Sequence, residues 1–264
     1  MLLPRLPTPR TRVRFVPTAP YHATIQRGPQ NMPTHTPNTT DASGHDIGQL
    51  ARHLYPDGPR LTRFIQHHRH RICPIELLAA QIPPGASILD IGCGGGLLIA
   101  RLAASGRIRS AQGIDASAPA IALAQGMVPR LRKLAPGPEI RFEHRPVQQG
   151  LPDDRYDAVC LIDVMHHVPP AHQERAFRDA AARVRPGGRL IYKDMADTRF
   201  PHALMNRLHD LVMARQWIRY LPVEHAERWA AEEGLRPVHA EDVTMLWYAH
   251  ELRVFERPDG GAEP

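Results

Sequence analysis

Ile88-Leu89-Asp90-Ile91 runs straight into Gly92-Cys93-Gly94-Gly95-Gly96 and then into Leu97-Leu98-Ile99-Ala100-Arg101-Leu102. An apolar strand, a glycine turn and an apolar helix in that order form a nucleotide site. Glycines let the backbone turn tightly and approach a ligand where a Cβ would collide, and the amides at the helix start face the bound molecule. Spacing then separates the ligand classes. A dinucleotide turn needs G-x-G-x-x-G, which counted from Gly92 puts glycine at 97, where this chain has Leu97; counting from Gly94 also fails. The observed spacing is G-x-G-x-G, and no Gly-Lys-Ser/Thr follows to cradle a triphosphate. Asp90, two residues before the first glycine, repels a pyrophosphate but suits a ligand that carries an ammonium group.

Asp90 through Gly96 resembles the first motif of class I S-adenosylmethionine-dependent methyltransferases. Further segments follow in that family's order, over roughly residues 60–256. Gly113-Ile114-Asp115-Ala116-Ser117 resembles the second motif, an acid that ends the second strand. A carboxylate there can accept both ribose hydroxyls in charge-assisted bonds of about 1.5–3 kcal/mol each. Ser117 is better placed than Asp115 to cap the next helix. Val184-Arg185-Pro186-Gly187-Gly188-Arg189-Leu190 resembles the family's turn before the fifth strand, where glycine and proline are expected to stop a helix.

Tyr156 through Val168, including Asp163-Val164-Met165-His166-His167, resembles the fourth strand and exit loop of methyltransferases of the ubiquinone-biosynthesis type. Ligands of open α/β sheets lie beyond the carboxyl ends of the strands. The resemblance therefore implies cofactor contacts from Asp90, Gly92, Cys93, Gly94 and Gly96 in the first motif. It adds Asp115 and Ala116 in the second and Asp163 after the fourth strand. His166 or His167 is a candidate base for an acceptor hydroxyl, because an unperturbed imidazole pKa of about 6.5 lies near operating pH. The alternative is that both histidines only shape the pocket. One departure stands out: where many relatives carry an acid after strand three, this chain reads Arg145-Pro146-Val147-Gln148, so adenine is left to backbone near Val147, to Gln148 or to another group.

The segments from Tyr192-Lys193-Asp194-Met195 to Trp217, and Trp247-Tyr248-Ala249-His250-Glu251-Leu252, are faintly similar to methyltransferases of aryl polyene and other aromatic pigment pathways. The implied acceptor is a small molecule, a phenolic or polyene acid. Trp217, Trp247, Tyr248 and His250 are candidates for its pocket wall or for core. Two readings remain beside this one: an RNA or protein methyltransferase, and a non-catalytic protein that binds S-adenosylmethionine. The Asn/Asp-Pro-Pro-aromatic motif of many amino-directed enzymes is absent at the fourth strand.

The elements that must position these residues are legible as short β-rich runs alternating with helical periods. Strands are predicted near 87–91, 110–114, 139–144, 156–162 and 188–194, with helices near 96–105, 117–126 and 171–184. Two or three short helices, broken at Pro56–Pro59 and Pro74, lead in from Ile47 to Ala80. Helices near 199–219 and 223–233 follow, then strands at 237–245 and 247–256, too close together to pair other than antiparallel. The expected fold is α/β: a Rossmann-like, doubly wound, seven-stranded sheet, mostly parallel with an antiparallel C-terminal hairpin strand and helices on both faces. It is expected to span residues 46–258, with 46–80 as its helical lead-in and 259–264 as a frayed end.

The chain has 264 residues and a formal charge of +6. Residues 1–40 hold Arg5, Arg10, Arg12, Arg14 and Arg27 and no acid, which leaves about +1 for residues 41–264. A nucleic-acid partner thereby loses its electrostatic argument. Residues 1–45 also carry eight prolines, a composition expected to give a tail without fixed structure. Cys73, Cys93 and Cys160 lie far apart, against a disulfide framework. His67, His68 and His70 diverge on a helix with no acid or cysteine at ligand spacing, so no metal is expected. No run suits a membrane span or signal peptide, and the expected location is the cytoplasm.

Overall fold

The computed structural model describes residues 46–57, 60–195, 221–245 and 248–260. Its lead-in is three helices: α1 (Ile47–Leu54), α2 (Arg60–His68) and α3 (Ile75–Gln81), with a 3-10 turn at Arg69–Arg71. Asp46 caps α1 by accepting the Gly48 amide at 2.7 Å. Pro56 and Pro59 fall between α1 and α2, and Pro74 immediately precedes α3, where prolines punctuate helices.

Strand and helix then alternate: β1 (Ala86–Ile91), α4 (Leu97–Ala104), β2 (Ile108–Asp115), α5 (Ala118–Leu134), β3 (Glu139–His144), β4 (Tyr156–Ile162), α6 (Pro170–Ala182) and β5 (Val184–Met195). Last come α7 (Val223–Glu232), β6 (Arg236–Met245) and β7 (Tyr248–Glu256). The seven strands form one sheet in the order β3-β2-β1-β4-β5-β7-β6. β1 to β5 are parallel, and β7 runs antiparallel between β5 and β6, as the hairpin spacing requires.

Both faces are covered, which is why β1 is buried along its whole length and reads as an unbroken apolar run. On one face Ile88, Cys160, Ile191 and Leu252 join Ile99 and Leu102 of α4 and Ile121 and Met127 of α5 in one core cluster. On the other, Leu89, Val159, Leu161 and Leu190 join Phe177 of α6 and Trp229 of α7. Strand order reverses between β1 and β4, so a crevice opens beyond their carboxyl ends.

Two expectations need revision. α5 does not stop near 126 but runs through Gly126 and Pro129 to Leu134. Ile121, Ala124, Met127 and Leu131 keep the buried face in register, and this packing outweighs the local breakers. The Val184–Gly188 segment is not the stop of α6, which ends at Ala182. Gly187 (φ +71°) instead sits in an irregularity early in β5, where its amide donates to Arg257 O at 2.8 Å. The helix expected near 199–219, with Trp217, and Trp247 lie outside the described residues. Among the described residues no helix is long and apolar enough to cross a membrane.

Candidate cofactor and transfer site

The glycine turn leaves β1 and is bound at once to its neighbour strand: the amides of Gly92 and Cys93 both donate to Ile114 O, at 2.8 and 3.0 Å. The Gly94 amide donates to Asp115 Oδ2 at 2.8 Å, and the Ser117 amide donates to Asp115 Oδ1 at 2.7 Å. Asp115 thus fixes the turn against the start of α5 while each oxygen keeps a lone pair for a ligand hydroxyl. Ser117 caps α5, its hydroxyl accepting from the Ala120 amide at 3.3 Å. Gly96 begins α4 at φ +80°, and a Cβ there would stand 2.6 Å from Phe142 Cζ.

Helix α2 and the turn after it cover this crevice, which is lined by Gln66, Arg69, Asp90, Gly92, Cys93 and Gly95 among others. Asp90 is 3% exposed, and burial pushes its carboxyl up to about 7 while Arg69 opposes the shift. Burial opposes the charge of Arg69, yet Cys73, Asp163, Asp90 and Asp115 around it outweigh that and raise it. Tyr55, at the end of α1, donates its hydroxyl to Gly95 O at 2.7 Å.

At the end of β4, Asp163 has φ +52°, the one positive φ of a non-glycine among the described residues. Its amide donates to Lys193 O at 2.9 Å, and the wholly buried Lys193 Nζ donates to its Oδ1 at 2.6 Å. Burial acts to raise the Asp163 carboxyl, but Lys193, His250 and Arg69 together hold it well below the usual range. His166 and Asp194 are each 2% exposed, and the ring Nδ1 pairs with Asp194 Oδ1. The His166 amide also donates to Asp194 Oδ2 at 3.3 Å, and the Met195 amide to Oδ1 at 2.8 Å. His167 is exposed, its ring centroid 4.2 Å from that of His166; desolvation, then His166, lowers its pKa to about 4.

The structure brings Asp90, Gly92, Cys93, Gly94, Gly96, Asp115, Ala116, Asp163, His166 and His167 to the carboxyl ends of β1, β2 and β4. Val147 and Gln148 form a 3-10 turn after β3, with Gln148 exposed. His67 bonds Tyr55 O and His68 bonds Phe64 O, and among the described residues no histidine, cysteine and acid group could hold a metal. His250 is buried on β7 at 2% exposure. The three thiols are free and buried. Tyr55, Gln66, Arg69, Lys193 and Asp194 are not among the candidates that the sequence motifs mark. A readable signal existed for the last two: charged residues directly after Leu190-Ile191-Tyr192, at the carboxyl end of a central strand.

The crevice suits an adenosyl sulfonium on its own terms. Gln66 Oε1 is buried with no hydrogen-bond partner among the described residues, an acceptor awaiting a donor. A Cβ on Gly95 would stand 2.9 Å from the Gln66 amide, so the glycine is what lets that side chain pack directly on the turn.

A glycine turn at the switch point of a doubly wound sheet, tied to an acid that ends β2, defines a nucleoside-binding α/β protein of the Rossmann-like class. Residues 64–240 match the methyltransferase domain family. The chain belongs to that family, the class I S-adenosylmethionine-dependent methyltransferases. It is 30% identical over 225 residues to a ubiquinone biosynthesis O-methyltransferase of Xylella fastidiosa, covering 77% of this chain and 81% of that protein. The enzyme of the same name from Alkalilimnicola ehrlichii is 31% identical over 160 residues, 57% of this chain and 61% of that protein. The fold of this chain is similar to that of magnesium protoporphyrin IX methyltransferase from Synechocystis, solved with bound SAH, at a TM-score of 0.58 and 19% identity over 79% of this chain and 93% of that one.

Proposed function

We propose that the chain transfers the methyl group of S-adenosylmethionine to a hydroxyl of a small molecule, of which phenolic and polyene acids are the first candidates. The observation that carries the reading is the His166–Asp194 pair at the neighbouring ends of β4 and β5, next to the glycine turn. Similarity to ubiquinone biosynthesis O-methyltransferases supports a small hydroxylated acceptor. The near-neutral charge of residues 41–264 disfavours RNA.

When bound, the cofactor supplies a methyl group already activated as a sulfonium, and alignment with a nucleophile can contribute roughly 7–11 kcal/mol. Asp115 receives the ribose hydroxyls, and the Gly94 amide that it holds keeps it aimed. The turn at 92–96 lets the backbone approach the adenosyl group. Arg69 would pair with the carboxylate of the methionyl part, and Asp90 in the same crevice would offset the charge of its ammonium. Val147 and Gln148 are the proposed adenine contacts, with Cys93, Ala116 and Asp163 completing the wall.

We assign the ring proton to Nδ1 of His166, donated to Asp194, which makes Nε2 the nitrogen that would take the acceptor's proton. Transfer would form the acceptor O–CH3 bond as the S–CH3 bond breaks, leaving S-adenosylhomocysteine; the hydroxyl proton would pass to Nε2 of His166, and Asp194 would stabilise the imidazolium.

Incubation with methyl-labelled cofactor tests the reading. Label is expected in phenolic or polyene acids; label in RNA or protein, or in nothing offered, overturns it. Asp115→Ala is expected to weaken cofactor binding roughly ten- to hundredfold by calorimetry. His166→Gln is expected to lower kcat at least about a hundredfold with cofactor affinity kept.

A further inference from the structure

Gly95 is a glycine for a reason that lies outside the turn. Its φ is not positive, and its carbonyl and Cα are both engaged by the lead-in helices. The Tyr55 hydroxyl donates to Gly95 O at 2.7 Å across 40 residues of chain. A Cβ on Gly95 would stand 2.9 Å from Nε2 and 3.1 Å from Oε1 of Gln66, so the Gln66 amide lies directly on its Cα.

Tyr55 makes a second tie. Its own carbonyl bonds the ring of His67 at 3.1 Å, and His67 is the residue next to Gln66. Tyr55 is 2% exposed, so this link between α1, α2 and the turn is shielded from water. What the link delivers is an amide oxygen that is buried, in a side chain 7% exposed, and without a partner among the described residues. Such an acceptor costs stability as it stands. Its surroundings in the crevice include Asp90 and Arg69, one group for each charge of an amino-acid moiety.

We infer that Gln66 contacts the cofactor, its amide oxygen accepting from the α-ammonium group, and that Tyr55 and His67 are positioning residues that set it against Gly95. This rests on the proposed binding of S-adenosylmethionine. The lead-in helices then belong to the cofactor site: they hold the part of the ligand that adenosine alone lacks.

Two ligands separate the contact from the fold: S-adenosylhomocysteine, which carries the ammonium, and 5′-methylthioadenosine, which does not. In the full chain, Gln66→Met is expected to weaken S-adenosylhomocysteine about tenfold by calorimetry, leave methylthioadenosine within twofold, and leave the ligand-free melting temperature equal or higher. Tyr55→Phe is expected to show the same selective loss, about three- to tenfold. Tyr156→Phe is the control, because it removes a 2.7 Å bond to Gln112 at the opposite end of β4 and should change neither affinity.

Unchanged S-adenosylhomocysteine affinity in Gln66→Met overturns the inference, and so do equal losses for both ligands. A lower ligand-free melting temperature for that variant also counts against it, since an orphaned oxygen contributes no stability. If the unaltered protein binds neither ligand, the cofactor reading itself has failed, an outcome distinct from the others.

Discussion

Asp90 shows how one residue can be read correctly for the wrong reason. The sequence marks it as an acid unsuited to pyrophosphate, and the structure buries it until its pKa rises from 3.8 to about 7. The folded protein thus keeps a proton that the unfolded chain has released above about pH 4. The stability linked to Asp90 is therefore complete below that pH and is lost as pH rises towards 7. Cofactor binding runs the other way. A cationic ligand favours the carboxylate, so binding below pH 7 must expel a proton, and affinity is expected to rise from pH 5 to pH 7, by at most about tenfold per unit, then level. Asp90→Asn should flatten both profiles; calorimetry and thermal melts across that range check it, and an unchanged slope sinks the linkage. Asp115, by contrast, was legible in position but not in its bonds, since nothing local announces that it holds the Gly94 amide.

Elements were predictable where one face alone decides them. The strands appear where apolar runs place them, because a parallel strand buried on both sides leaves an unbroken signal. α5 was misjudged because Gly126 and Pro129 are local signals, while the buried face that overrides them is a tertiary one. Helices α5 and α4 give an opposed pair of predictions. Gly126 is exposed inside α5 with nothing within 4 Å of a new Cβ, so Gly126→Ala is expected to stabilise by about 0.4–1 kcal/mol. Gly96 holds φ +80° and a new Cβ there would stand 2.6 Å from Phe142, so Gly96→Ala is expected to cost about 2–4 kcal/mol. Chemical denaturation decides both, and a neutral Gly96→Ala would mean that the turn is not packed as described.

At the scale of the whole chain, charge and chemistry are separate in sequence: five of the six net positive charges fall in residues 1–40 and the site residues all lie beyond 54. We propose that residues 46–258 are the functional unit and that 1–45 and 259–264 are appendages. Removal of residues 1–45 is then expected to change cofactor affinity less than twofold and leave the melting temperature in place. A larger loss in either would assign the tail to the fold or the site. The sequence by itself determined the α/β alternation, the closing hairpin, the glycine turn and the acid after β2, because each is written in consecutive residues and obeys local rules of periodicity and backbone conformation. Only the tertiary structure decided that Gln66, Arg69 and Tyr55 cover that turn, and that Lys193 and Asp194 face Asp163 and His166. Those pairs lie about 25 to 40 residues apart, and packing brings them together without leaving a pattern in the residues between.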